Sequence, residues 1–378
     1  MKIYYFLNNV SKESFDLYLS KFELLRNFSD VNSIVSTNYA KIGYNPEGTI
    51  NDANFLEALS FIEFIKNKFK LSYNELLKYI DFIHDENFFI YNEKVFSQNK
   101  HGIQEINTNS QKVYFVTSRD FFTSPFFLIL NSLCKINNNI HIVKFNIRLN
   151  KWSYNDKAYY LSKLYKLRKK LLGEIIVPLF QNREYNSVKL FFKEVQKLIG
   201  DKIIIKKNFG DMGIGLKALD LRKLKKKDID LLKTNFFSEN NNNFTGLYIV
   251  PFIDIKKEYR IYYRYDKNKD KVTIYSVKNR INKNIEEIFT KSSLKIYEKI
   301  DVEWHYNDKK TLEKKYIDKI NKICKITKDN IGVLEFFEDN TGKIYFCEIN
   351  SLGGSLIFSG QDEKDMIKYY IDTWDMIY

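Results

Sequence analysis

The sequence predicts an α/β (α+β) chain in which two mixed α/β lobes follow an N-terminal α/β domain. Three observations carry that expectation. Strand and helix signals alternate from the first residues onward, as in layered α/β domains. A glycine-rich stretch, FGDMGIG, lies between two short strand signals. A long apolar hairpin with acidic positions, VLEFFEDNTGKIYFCEIN, lies near the C-terminal end. At 378 residues the chain exceeds one ordinary domain, and the expected division is 1–150, 151–245 and 246–378.

In the first part, Lys2 to Leu7 reads as a strand and Glu13 to Leu25 as a helix. Phe55 to Phe69 is an aromatic-rich helix, and Tyr73 to Ile83 carries a second helical pattern. Val113 to Thr117 and Ile140 to Phe145 read as short buried strands around the apolar segment Phe121 to Cys134, and the polar stretch Gln98 to Gln111 as an exposed loop. Asp156 to Leu172 shows a helical stripe at Tyr160, Leu161, Leu164, Leu167 and Leu171, and Glu174 to Pro178 reads as a strand. Ser187 to Ile199 is an amphipathic helix that Gly200 stops. Strands follow at Lys202 to Lys207 and Leu216 to Leu221, on either side of the glycine loop. Glu258 to Tyr265 and Lys271 to Lys278 form a hairpin around Asp266 to Asp270, Leu312 to Ile326 is a helix, and Leu334 to Asn350 closes the pattern as a hairpin.

Composition narrows the function classes. The formal charge is +14, from 61 basic against 47 acidic residues, which suits polyanionic partners: nucleotides, nucleic acid or an acidic peptide. The excess is spread along the chain and no recognised nucleic-acid motif accompanies it, so nucleic acid is not the expected main partner. Cys134, Cys324 and Cys347 are far apart, with neither disulfide nor zinc spacing. The start, MKIYYFLNNV, is too short an apolar run for a signal peptide, and no stretch has spanning length, so a cytoplasmic protein with no membrane partner is expected.

Three constellations carry chemistry. In KKNFGDMGIG, Gly210, Gly213 and Gly215 allow consecutive N–H groups to face phosphate oxygens, and Lys206 ends the preceding strand. The spacing matches neither the dinucleotide fingerprint nor a Walker loop, and a plain strand–turn–strand connection is the alternative. In the acidic hairpin, a turn over Asp339 to Gly342 pairs Glu338 with Lys343 and sets Glu335 opposite Phe346. Glu335, Phe346, Glu348 and Asn350 then share one face, and two carboxylates with an amide oxygen suit Mg²⁺. Such carboxylates are unfavourable to bury without a cation, and the apolar run GKIYFCEIN argues against a solvent-facing edge. In IVPFIDIKKEYRIYYRY, the strand end Pro251–Phe252 suits adenine recognition through backbone groups. Glu258 and Arg260 share a strand face and Arg280 lies on the hairpin partner, a pattern suited to phosphate or carboxylate recognition. A charge-paired sheet surface explains these three residues equally well. Asp266-x-Asn268-x-Asp270 imitates a calcium loop, but Lys271 stands where that loop needs glycine.

In this order the motifs resemble the ATP-grasp superfamily, above all the ribosomal protein glutamate ligases and the ligases that macrocyclise microviridin-type peptides (graspetides). The resemblance covers residues 150 to 360. Asp156–Lys157 and Pro178 look like the entry to the first nucleotide lobe, and Lys206 with Gly210, Gly213 and Gly215 is similar to the family's phosphate grip. Pro251–Phe252 resembles the adenine hinge, usually Glu-Phe; Glu258-Tyr-Arg260 stands for Asp-Leu-Arg, and Arg280-Ile-Asn282 for Arg-Ser-Asn. Glu335, Glu348 and Asn350 match the magnesium ligands, and Asp254 is the candidate for the ribose. The loop Ser351 to Ser355 lacks the usual Pro-Gly. The resemblance implies an ATP-grasp fold with an N-terminal pre-ATP-grasp-like domain that recognises substrate. It also implies ATP with Mg²⁺ (or Mn²⁺) and a carboxylate–amine or carboxylate–alcohol ligase acting through an acyl phosphate, with Arg260 and Arg280 catalytic. A peptide or protein substrate, acidic in character, is expected, as in the maturation of ribosomally made peptides; a homo-oligomer is compatible. Ligation of a small metabolite or amino acid, or a small-molecule kinase on the same fold, are the alternatives. His84, His101, His141 and His305 lie outside every motif.

Overall fold

The computed structural model describes residues 1–7, 12–29, 51–84, 87–99, 101–117, 125–144, 162–167, 173–176, 185–207, 217–230, 247–282, 302–307, 309–327, 331–350 and 361–377. The chain divides into two compact units, Met1–Leu149 with Leu352–Tyr378, and Asn150–Ser351.

The first unit is built on a parallel sheet. Strands β1 (Lys2–Phe6), β2 (Ile80–Ile83), β6 (Val113–Thr117) and β7 (Ile140–Lys144) lie in the order β2-β1-β6-β7. A parallel sheet is stable when both faces are covered, and alternation along β1 supplies both. Tyr5 packs on Phe61 of helix α2 (Asn51–Phe69), while Tyr4 and Phe6 stack on Phe115 in a core with Leu130 and Leu133 of α4 (Pro125–Ile136). Helix α1 (Lys12–Leu24) contributes Phe22, which stacks on Phe82 at 4.2 Å. The expected helix over Tyr73 to Ile83 is a correction. Ser72 and Glu75 form a capping box, but the helix they start, α3 (Tyr73–Leu76), is one turn long, and Ile80 to Ile83 instead pair with β1. Pairing Ile80 and Ile83 into the core outweighs continuing a helix whose next residues, Lys78 and Tyr79, are solvent-exposed. The expected loop from Gln98 to Gln111 likewise contains a strand, β5 (Gly102–Glu105), exposed along its length, which joins β3 (Asn87–Tyr91) and β4 (Lys94–Asn99) in a small antiparallel sheet. Helix α7 (Gln361–Ile377), expected with the second lobe, packs on α2: Trp374 is fully buried against Phe61 and donates to Ser60 Oγ at 3.3 Å.

The second unit holds two antiparallel sheets. In the smaller, β8 (Lys202–Lys207) lies between β9 (Lys217–Asp220) and β10 (Leu247–Pro251), and helix α5 (Tyr185–Ile199) covers one face with Val188, Phe192 and Val195. β10 falls on the far side of the expected 245/246 boundary, yet it pairs with β8 and belongs to the first lobe's sheet. Ile176, within the expected strand Glu174 to Pro178, makes a single antiparallel bridge to Ile249. The larger sheet runs β13-β12-β11-β14-β15, from β11 (Ile255–Asp266), β12 (Lys271–Asn282), β13 (Val302–Asn307), β14 (Ile331–Asp339) and β15 (Ile344–Asn350). Helix α6 (Lys314–Thr327) buries Tyr316, Ile320 and Ile323 against Ile261, Tyr263, Leu334, Phe336 and Phe346 on one face of that sheet. Alternation therefore turns the intervening residues to the other face. Among the described residues, no helix is long and apolar enough to cross a membrane.

Candidate active site

The face of the larger sheet turned away from α6 collects the charged residues. On β11, Glu258 lies opposite Arg280 of β12, and Arg260 lies between Lys278 of β12 and Glu335 of β14. Glu335 in turn faces Glu348 of β15, and Val333 faces Asn350. Register alone thus places Glu258, Arg260, Lys278, Arg280, Glu335, Glu348 and Asn350 on one surface.

A bulge makes that arrangement possible. The hairpin turn is closed by Asp339 and Lys343, with Gly342 at φ 79° and Asp339 Oδ1 accepting the Thr341 and Lys343 N–H groups. Glu338 pairs with Ile344, not with Lys343 as the sequence suggests, and Phe346 pairs with Phe336. Continued without interruption, that register would set Glu348 beside Leu334, facing the apolar core. The ladder instead shifts between Glu335 and Phe336, and Cys347 is the extra residue. Phe346 therefore stays in the core, at 5.9 Å from the Phe336 ring, and is a correction to the expected face. Glu348 and Asn350 are brought to Glu335 as expected. Disrupting one ladder position costs less than burying a carboxylate among aromatic rings.

The charges are tightly organised. Glu258 and Arg280 are both buried and paired through Oε2 and Nη2, while Glu258 Oε1 is buried without a hydrogen-bond partner among the described residues. Arg260 Nε lies 2.9 Å from Glu335 Oε1. Asn350 Nδ2 donates to Glu335 Oε1 at 2.9 Å and to Glu348 Oε1 at 3.2 Å, bridging the two carboxylates. Burial, opposed by Arg260 and reinforced by Glu348 and Glu258, pushes the Glu335 carboxyl up to about 7. From the smaller sheet, Lys206 reaches this face: its Nζ lies 3.8 Å from Cys347 Sγ and about equally far from the rings of Phe337 (5.8 Å) and Tyr248 (6.0 Å). Burial pushes the Cys347 thiol up to about 12, so the contact holds a neutral thiol against an ammonium.

Other expected residues lie at the ends of neighbouring elements or outside the described residues. Pro251 ends β10, and the Phe252 N–H is given to Lys202 O at 2.8 Å, so that donor is already used. Asp254 is exposed and accepts from Asn340 Nδ2 at 2.7 Å, at the tip of the β14–β15 hairpin and not beside the carboxylates. Asn282 is the last residue of β12, where its backbone faces Val302. Gly210, Gly213 and Gly215 lie outside the described residues, as do Asp156, Lys157, Pro178 and Ser351 to Ser355. Two residues of the site were not foreseen. Lys278 is buried, with Nζ 4.8 Å from the Tyr262 ring, and the alternation from Arg280 would have found it. Cys347 had no signal, because only the bulge turns it inward.

The site fits a divalent cation. Glu335 is 2% exposed, shares its surroundings with Glu348 and Glu258, and prefers its proton without further positive charge. The bridging amide stands where a cation would satisfy both carboxylates, and half a turn about its χ2 presents Oδ1 in place of Nδ2. Among the described residues, no group of three or more His, Cys, Asp and Glu side chains could hold a metal.

Comparison with solved structures matches this architecture. VanG D-Ala:D-Ser ligase from Enterococcus faecalis superposes with a TM-score of 0.51 at 11% identity, covering 100% of this chain and 99% of that one. The chain has the ATP-grasp fold. Two further ATP-grasp neighbours align more loosely. The macrocyclase MdnC from Microcystis aeruginosa MRC, bound with its precursor peptide MdnA, gives a TM-score of 0.47 at 12% identity over 98% and 99% of the two chains. A RiPP-associated ATP-grasp ligase from Chryseobacterium gregarium, in complex with ADP and a leader and core peptide, gives 0.44 at 11% identity over 100% and 96%. No protein-family model matches the sequence, and neither does any curated protein.

Proposed function

We propose that the protein is an ATP-dependent ligase that joins a carboxylate to an amine or a hydroxyl, acting on an acidic peptide. A fold hosts many reactions, so the reading rests on the site. The observation that carries it is the meeting of Glu335, Glu348 and Asn350 with Arg260 on one sheet face, with Lys206 entering from the other sheet. Carboxylates beside fixed cations suit a magnesium nucleotide whose terminal phosphoryl group is transferred.

Glu335, Glu348 and Asn350 would hold magnesium, which when bound neutralises charge on the nucleotide phosphates. In the reaction, a substrate carboxylate oxygen attacks the γ-phosphorus of ATP; the bond to the β–γ bridging oxygen breaks, and ADP leaves. An amine or hydroxyl then attacks the acyl carbon, the acyl–phosphate bond breaks, and phosphate and a proton are released. The chain's own contribution is electrostatic. Lys206 and Arg260 would hold phosphoryl oxygens, and Arg280, paired with Glu258, would supply a third cation on the same face. No side-chain nucleophile is required, in keeping with a Cys347 thiol that stays neutral. The formal charge of +14 supports an acidic substrate.

The test is ADP release by the purified chain with ATP, magnesium and acidic peptides, against mixtures of free amino acids. Peptide-dependent release that Glu348→Gln lowers by a factor of about a hundred or more is expected, two powers of ten being about 2.7 kcal/mol. Near-normal release by Glu348→Gln would overturn the metal assignment. Robust salt-insensitive ligation of free amino acids would overturn the peptide assignment.

A further inference from the structure

The polar face of the larger sheet holds a row of five residues, one from each strand. Glu348 of β15 faces Glu335 of β14, Glu335 faces Arg260 of β11, Arg260 faces Lys278 of β12, and Lys278 faces Tyr306 of β13. Paired positions share a face and neighbouring strands lie about 4.8 Å apart, so the row is about 19 Å long. Its charge changes sign part-way, from two carboxylates to two cations. Lys206 stands at the carboxylate end, against Cys347 of β15. Towards the other end, Lys278 is 1% exposed, and its Nζ lies 4.8 Å from the centre of the Tyr262 ring, which is buried with it. Keeping a lysine buried is costly. The ion pairs of Glu335 and Glu258 are made by Arg260 and Arg280, so their balance does not call for Lys278.

We propose that Lys278 binds the substrate carboxylate that reacts, holding the oxygen that does not attack phosphorus. The inference rests on the ligase reading and assigns the acyl end of that site. On that reading, magnesium and Lys206 hold the nucleotide at the β14 and β15 end of the row, and Arg260 meets the γ-phosphoryl group. In phosphoryl transfer the attacking and leaving oxygens lie roughly in line through phosphorus. The ADP oxygen leaves towards the magnesium end, so the carboxylate attacks from the opposite end, over β12. That strand turns Lys278 and Arg280 to this face, and Arg280 is held by the buried Glu258.

Contact with the Tyr262 ring fixes the Lys278 ammonium by its charge, and an ammonium carries three N–H donors. One substrate oxygen attacks the γ-phosphorus as the bond to the β–γ bridging oxygen breaks, and the electron pair of that bond leaves with ADP. The other oxygen accepts from Lys278 and stays on the acyl carbon as the carbonyl oxygen of the acyl phosphate. No proton moves in this step. A further phosphate ligand is the competing role for Lys278, and it differs in one respect: a phosphate ligand strengthens nucleotide binding, whereas a carboxylate ligand acts on the peptide alone.

The experiment compares the full chain with Lys278→Met and Lys278→Arg in two measurements on the same preparations. One is calorimetric titration with a non-hydrolysable ATP analogue and magnesium; the other is ADP release against the concentration of synthetic peptides of Asp and Glu. Lys278→Met, uncharged and of similar length, is expected to keep analogue affinity within about twofold while the KM for peptide rises about tenfold or more. Lys278→Arg, which restores a donor and the charge, should recover most of that loss. Retained analogue binding reports a folded site, and Lys278→Gln repeats the comparison where the methionine variant does not fold. An unchanged peptide KM in Lys278→Met overturns the proposal. A fall in analogue affinity as large as the loss of peptide use overturns it as well, and makes Lys278 a phosphate ligand or a structural charge. A wild-type chain that releases ADP with none of the peptides overturns the ligase reading itself, and the inference falls with it.

Discussion

Glu258 and Arg280 are buried together, and each is tolerable there only because of the other. Arg280→Ala is expected to lower stability by about 3–5 kcal/mol, because it strands a carboxylate whose second oxygen has no partner among the described residues. Glu258→Leu combined with Arg280→Met should recover most of that loss in urea denaturation while ADP production stays absent; recovery of both would remove the pair from the chemistry. Glu335 gives a pH signature. Its proton is held up to about pH 7 in the folded metal-free protein, against an ordinary 4.5. Between those values the folded state binds more protons than the unfolded state, so stability falls as pH rises through the window. The loss is about 3 kcal/mol at 1.36 kcal/mol per pH unit. Magnesium, if held as proposed, requires the ionised carboxylate and should restore stability above the window. Urea denaturation of chelated protein at about pH 5 and pH 8 checks this, and Glu335→Gln should abolish the difference.

The β14–β15 hairpin shows what one strand pair must satisfy. Phe346 belongs to the apolar core and Glu348 to the polar face, although the two are only two residues apart and regular alternation would put them on the same side. The extra residue, Cys347, resolves the conflict. The meeting of Glu335, Glu348 and Asn350 was legible from spacing, but the bulge was not, because an unbroken register with Glu335 opposite Phe346 already sets Glu335 and Glu348 on one face. The turn itself was legible: Asp339 to Gly342 has the residues such a turn needs, and Gly342 takes a left-handed φ of 79°. An added Cβ there would meet only Glu338 Oε1 at 3.8 Å, so space is available and backbone conformation alone opposes a side chain. Gly342→Ala should therefore cost about 1 kcal/mol in thermal or chemical denaturation, with ADP release retained. Loss of activity at unchanged stability would mean that the turn does more than close the hairpin.

Across the whole molecule, legibility follows how local the deciding forces are. Helices α5 and α6 declare themselves by a stripe of apolar residues, and β11 with β12 by a hairpin. Strand β2 does not, since only pairing with β1 makes it a strand, and α7 gives no hint that it belongs with the first seventy residues. Trp374→Ala should destabilise the first unit by about 3–5 kcal/mol, seen as a lower melting temperature, because its ring is wholly buried against Phe61. The ATP-grasp fold was legible from the order of its motifs, and the substrate was not, because no motif in the sequence is specific to one substrate. The claim on which everything else depends is that a substrate carboxylate is activated as an acyl phosphate. Hydroxylamine trapping tests it directly: the chain is incubated with ATP, magnesium, an acidic peptide and hydroxylamine, and peptide and nucleotide are then analysed by mass spectrometry and chromatography. A peptide hydroxamate formed with ADP in equal amount is expected, both lost in Glu348→Gln. AMP and pyrophosphate as products, or a stable phosphate ester with no hydroxamate, would contradict it.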